Sequence, residues 1–162
     1  MLIALPFRET VRRSPAMLHF EGEKEFRRPV ADVWAKLSDA RFLVECVPGV
    51  EAVVRAEPTE AVWTLRPGLS FVRGTLEITL KVVEAVRESS VRLTVTSKGI
   101  GSNSDVEAAL RLTPEGDGTR VAWTADVKSL GGLLKALPQG LLKASAQKVI
   151  GDIWAAVEAK LT

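Results

Sequence analysis

The sequence contains one cysteine, one histidine and no tyrosine among its 162 residues. A single cysteine, Cys46, excludes an intramolecular disulfide framework and fits a reducing compartment. One cysteine with one histidine cannot supply the four Cys/His ligands of an ordinary structural zinc site. Without tyrosine, a common general acid is missing. Neither sign of charge dominates: Lys and Arg number 22 against 20 Asp and Glu, a formal net charge of +2. The basic residues are dispersed and never form a block interleaved with aromatics, so nothing favours nucleic acid as a partner. No apolar run approaches the ~20 residues of a membrane-spanning helix. The opening residues 1–7 are apolar but too short for a signal sequence, and the arginines follow them rather than precede them. The chain reads as cytoplasmic, with membrane association at most peripheral.

Recognisable catalytic patterns are also lacking. His19 takes the outward parity of its strand, so no nucleophile stands beside a base. Cys46 precedes Pro48-Gly49 at the end of a short helix, without a basic neighbour to lower its thiol pKa. Glu77, Glu107 and Asp126 share the wet strand face, the usual place for surface charge. Gly99-x-Gly and Gly116-x-Gly lack the strand-to-helix context of phosphate loops. No cofactor is expected.

What the sequence has is hydrophobic order. Apolar residues make up 46% and charged residues 26%, which suits one soluble domain with a substantial core. Residues 1–16 read as an extension outside the fold, with Met17 an alternative start, and residues 17–162 as one domain. Leu18, Phe20, Gly22 and Phe26 alternate with polar residues and predict a strand; Lys24 breaks its apolar phase and points to an edge or a mouth. Pro29 suits the first turn of a helix carrying Val33, Trp34 and Leu37, and Ser38-Asp39 offers caps for a second short helix through Arg41 to Cys46.

From Val50 onward the period is two. Apolar faces are predicted at Val50, Ala52 and Val54, and at Ala61, Trp63 and Leu65. They continue at Val72, Leu76, Ile78, Leu80 and Val82, and at Val91, Leu93 and Val95. The last two are Val106, Ala108, Leu110 and Leu112, then Val121, Trp123, Ala125 and Val127. Turn signals stand between them, including residues 114–118. Short turns favour antiparallel neighbours, each with one apolar face. The closing element, residues 131–161, carries Leu142, Ala146, Val149, Ile150, Ile153, Trp154, Val157 and Leu161 on one side of a helix. Pro138 and Gly140 disturb its opening turns, so the regular helix is expected from about Leu141.

This order of elements resembles the helix-grip fold of the START and birch-pollen-allergen superfamily, an α+β arrangement in which a curved antiparallel sheet of about seven strands wraps a long C-terminal helix. Phe26-Arg27-Arg28-Pro29, Val33-Trp34, Leu37-Ser38-Asp39 and Cys46-Val47-Pro48-Gly49 resemble the opening of the G-subunit family of carbon monoxide dehydrogenase. Gly74, the hairpin at residues 112–119 and Gly131-Gly132 before the helix fit it too. The resemblance covers about residues 17–162.

The inward set is Trp63, Leu65, Ile78, Leu80, Leu93, Val95, Leu110 and Trp123 from the strands, with Val149, Ile150 and Ile153 from the helix. Read residue by residue, these fill a solid core. The resemblance implies instead that they line a hydrophobic cavity for a small molecule such as a quinone or lipid; Arg66 and Ser70, placed near the break after the Trp63 strand, are the candidates for polar contacts at its mouth. It further implies a non-catalytic accessory role beside a carbon monoxide dehydrogenase or related molybdenum hydroxylase. A cyclase/dehydratase-type enzyme of the same superfamily and a pure protein-interaction module are the alternatives.

Overall fold

A computed structural model describes residues 16–66 and 74–161. The expected strand start at Val72, the Pro67-Gly68 break, Ser70 and nearly all of the N-terminal extension lie outside the described residues. Seven strands form one antiparallel sheet: β1 (Leu18–Phe26), β2 (Val50–Ala56), β3 (Glu60–Leu65), β4 (Leu76–Val86), β5 (Ser90–Gly99), β6 (Ser102–Glu115) and β7 (Gly118–Gly132). Their spatial order is β1-β7-β6-β5-β4-β3-β2, so β2 to β7 meander and β1 returns beside β7. Two short helices, α1 (Val30–Leu37) and α2 (Ala40–Glu45), make the crossing from β1 to β2, and α3 (Gln139–Leu161) closes the chain. This is the helix-grip arrangement.

Local chemistry accounts for most boundaries. The carboxylate of Asp39 accepts the backbone N–H of Arg41, satisfying an orphan donor at the start of α2. Helix α3 begins on the carbonyl of Pro138, which accepts from Leu141 and Leu142. Proline is compatible with that place because the first turn needs no N–H from it. Leu137 before it is extended, as a residue preceding proline tends to be.

Two expectations need correction. The regular helix starts at Gln139, close to the expected Leu141, but the closing element does not open at Gly131: Gly131 and Gly132 end β7, paired with Asn103 and Ser102. A Cβ on Gly132 would collide with the Gly101 carbonyl oxygen, so glycine there lets the strand end press against the β5–β6 turn. A 3₁₀ turn over Leu133–Ala136 then leads towards α3. The apolar face expected at Val50, Ala52 and Val54 is broken by two register shifts in β2. Val54 is 62% exposed and Val53 53%; an irregular edge strand loses strict alternation and resists pairing with another chain.

The core lies between the sheet and the helices. Val33 and Leu37 of α1, Leu43 of α2, Trp63, Ile78, Leu93 and Leu110 of the strands, and Trp154, Val157 and Leu161 of α3 belong to one buried cluster. The end of α3 is further fixed by Arg28, whose Nε donates to the Leu161 carbonyl at 2.6 Å. The first half of α3 is different: Leu142, Ala146 and Ile150 are half-buried, and Leu141 and Val149 are exposed. No helix among the described residues is long and apolar enough to cross a membrane.

Candidate functional site

Strand β1 is an edge of the sheet, and its inner face carries Phe20, Gly22, Lys24 and Phe26. Their register partners on β7 are Ala125, Trp123, Val121 and Thr119. Beyond β7, Leu110 pairs with Trp123, and Ala108 pairs with Ala125. Gly22, Ala108 and Ala125 therefore keep bulk out of the area faced by the first half of α3. Trp123 spreads into that space, with ring centroids 6.0 Å from Trp154. Trp154 in turn stands 6.3 Å from Phe26.

The result is an open cleft of about 430 Å³ between β1 and α3, within the 300–1,000 Å³ typical of small-molecule sites. Phe20, Trp123, Ile150 and Trp154 give it apolar walls. His19, Glu21, Lys24, Lys143, Gln147 and Gly151 complete the lining. A second hollow of about 460 Å³ at the other end of β1 is framed by Glu25, Arg27, Glu115 and Asp117, with Phe26 its one large apolar residue. The first has the larger share of apolar wall residues.

Of the sequence-derived set, the cleft brings together Trp123 and Ile150. Trp63, Ile78, Leu80, Leu93 and Leu110 are buried in the core cluster, and Leu65, Val95 and Ile153 are partly buried against it. Val149 is the correction: it is 46% exposed and does not line the cleft. Positions 149, 150, 153, 154 and 157 span more arc than one packed stripe, and burial of Trp154 and Val157 sets the rotation that turns Val149 out. Arg66 is exposed and donates to Glu51 at 2.9 Å.

Sequence reasoning missed His19, Phe20, Glu21, Lys143, Gln147, Gly151 and Trp154 as lining residues. Lys24 carried a signal, its break in the apolar phase, whereas Lys143 and Gln147 fell on the polar side of the helix and carried none.

The polar groups are ordered. His19 pairs through Nδ1 with Asp126 and through Nε2 with Glu21 at 2.7 Å. The bond to Glu21, then that to Asp126, raises its pKa above the ordinary 6.5, because only the imidazolium has two N–H donors for two carboxylates. The pairing favours the imidazolium over the neutral ring. Cys46 is buried, donates to the Phe42 carbonyl, and has its thiol pushed up to about 11 by burial, so it is a poor nucleophile. The indole N–H groups of Trp63 and Trp123 are buried without a hydrogen-bond partner among the described residues. An unmet buried donor costs about 1–3 kcal/mol. No group of three or more metal-ligating side chains occurs among the described residues.

Comparison with known proteins fits this fold. The family model for the carbon monoxide dehydrogenase G subunit (CoxG) matches residues 22–162. No curated protein matches the chain. Among solved structures, a conserved protein from Geobacillus kaustophilus is similar at a TM-score of 0.77 and 23% identity, over 89% of this chain and 95% of that one. A START superfamily protein from Mycobacterium smegmatis aligns at a TM-score of 0.63 and 12% identity, covering 88% and 96% of the two chains. Ara h 8.0201 aligns at 0.58 and 16%, covering 89% and 97%. At these identities the likeness is one of fold.

Proposed function

The chain belongs to the CoxG family, the G subunits of carbon monoxide dehydrogenase, and from that premise we propose that it is a non-catalytic binding protein that carries an apolar or amphipathic small molecule of the lipid or quinone class. The observation that supports this reading most is the cleft of about 430 Å³ walled by Phe20, Trp123, Ile150 and Trp154. Each methylene moved from water onto such a surface contributes about 0.8 kcal/mol, so a short chain or ring binds without a specific polar partner. Trp123 and Ile150 contact the guest, and Leu110, the cross-strand neighbour of Trp123, backs the floor.

The carrier works by partition. The half-buried first half of α3 borders the cleft while its second half stays anchored in the core, so a guest enters beside the helix without opening the fold. The family name supports an accessory role beside a carbon monoxide dehydrogenase or related molybdenum hydroxylase, in the cytoplasm or peripherally at a membrane. Native mass spectrometry and solvent extraction of the purified protein test the binding role: a stoichiometric quinone or lipid is expected. Empty protein that also fails to take up added quinone or lipid overturns it.

A further inference from the structure

The cleft and the start of the described chain lie at one place. Strand β1 has β7 on one side only, so its other edge, which borders the cleft, offers backbone groups with no strand partner among the described residues. The chain enters β1 beside the start of α3, where the Met17 carbonyl accepts from Gln139 Nε2 at 3.4 Å. Met17 and Leu141, in the first turn of α3, are both exposed, so apolar side chains are uncovered where residues 1–15 attach. Within those residues, Leu2-Ile3-Ala4-Leu5-Pro6-Phe7 is apolar throughout and carries no charged side chain. Fully extended, such a segment spans about 20 Å. The cleft follows β1 from His19 to Lys24, about 17 Å at ~3.3 Å per residue. Residues 8–16 reach at most about 30 Å, enough to turn the chain back from Met17 along the cleft.

We infer that residues 2–7 of the same chain occupy the cleft in the guest-free protein and leave it when a guest binds. The exchange with a guest rests on the carrier reading above; the occupancy does not. In an extended segment Ile3, Leu5 and Phe7 share one face, and this face meets the apolar surface of Trp123, Ile150 and Trp154. The segment runs along the free edge of β1, whose backbone groups satisfy its own, as in strand addition. Pro6 has no N–H to offer and is compatible with an outermost strand. The plug covers an apolar floor that would otherwise face water. Guest affinity is then reduced by the fraction of time that the cleft stands open.

The test uses the full chain. Phe7→p-benzoylphenylalanine, irradiated in dilute guest-free protein, is expected to join residue 7 to Phe20, Gln147 or Ile150 of the same chain, read by peptide mass spectrometry. Added decylubiquinone is expected to lower that yield. Ile3→Ser, Leu5→Ser and Phe7→Ser combined lie outside every described strand and helix. Tryptophan fluorescence is expected to show this triple variant binding decylubiquinone about tenfold more tightly, as for a native cleft about nine-tenths closed. Crosslinks that fall only outside the cleft, or none at all, overturn the plug and leave the carrier reading standing. Crosslinks between two chains assign the occupant to a second copy and overturn it as well. Cleft crosslinks with unchanged affinity in the triple variant overturn the exchange. Cleft crosslinks with no binding of decylubiquinone by either protein uphold the occupancy and count against the carrier reading instead.

Discussion

Gly22 of β1 lies directly under the indole of Trp123 on β7. The two are register partners, and a Cβ on residue 22 would come 2.9 Å from Trp123 Cζ2 and 3.0 Å from Nε1. Glycine is required here for space, since no ordinary side chain fits between an edge strand and an aromatic ring laid across it. The flat indole is then free to serve as the cleft floor. Gly22→Ala is expected to displace the ring and to cost about 1–3 kcal/mol, the usual penalty of overpacking. Chemical denaturation will give the loss of stability, and a shift in tryptophan emission will report the moved ring. Unchanged emission and stability together would falsify the account of Gly22.

Trp154 links the cleft to the core, buried at 7% exposure against Phe26 and Trp123. Trp154→Ala removes that bridge and is expected to destabilise the fold by about 3–5 kcal/mol. Trp154→Phe, which keeps a ring, is expected to cost much less. Midpoints of urea unfolding for the two variants separate packing from a general intolerance of change.

Val149 and Ile150 are adjacent in sequence and opposite in role. Val149 is exposed and Ile150 lines the cleft. Val149→Ser should alter stability by no more than about 0.5 kcal/mol, as surface changes usually do, and should leave guest binding intact. Ile150→Ser should weaken binding of an apolar probe. Equal effects of the two would mean that α3 is rotated from the orientation described.

His19 predicts a pH signature. Its folded pKa is raised above the unfolded value by Glu21 and then Asp126. The contribution to stability is therefore fully present below about pH 6.5 and disappears as pH rises through the raised folded value. Because the side chain is 48% exposed, solvent screening limits the effect to about 1 kcal/mol or less. The stability gap between the native chain and His19→Gln should be larger near about pH 6 than near about pH 9, and a gap that widens with pH would reverse the assignment.

Cys46 should behave as a packing residue. With its thiol pushed up to about 11, it should react with a thiol reagent near neutral pH only as fast as the protein unfolds. Full labelling in denaturant against slow labelling of native protein is the expected contrast.

The alternation of Ile78, Leu80, Leu93 and Leu110 with polar neighbours is local, so their inward parity can be read directly; all four are buried. The cleft is less legible. Trp123 and Ile150 stand out because they are apolar and in phase. Lys143 and Gln147 face the cleft only because the first half of α3 stands beside an edge strand, which no local pattern records.

The order of elements, the one-sided strands and the family motifs were properties of the sequence alone, because they follow from periodicity and turn chemistry within short windows. Tertiary structure decided the rest: the rotation of α3 that buries Trp154 and exposes Val149, the bulges that spoil β2, and the gap at Gly22 that Trp123 occupies. These depend on contacts between residues distant in the chain, where volume and charge are matched across elements. A sequence specifies that matching only through the folded whole.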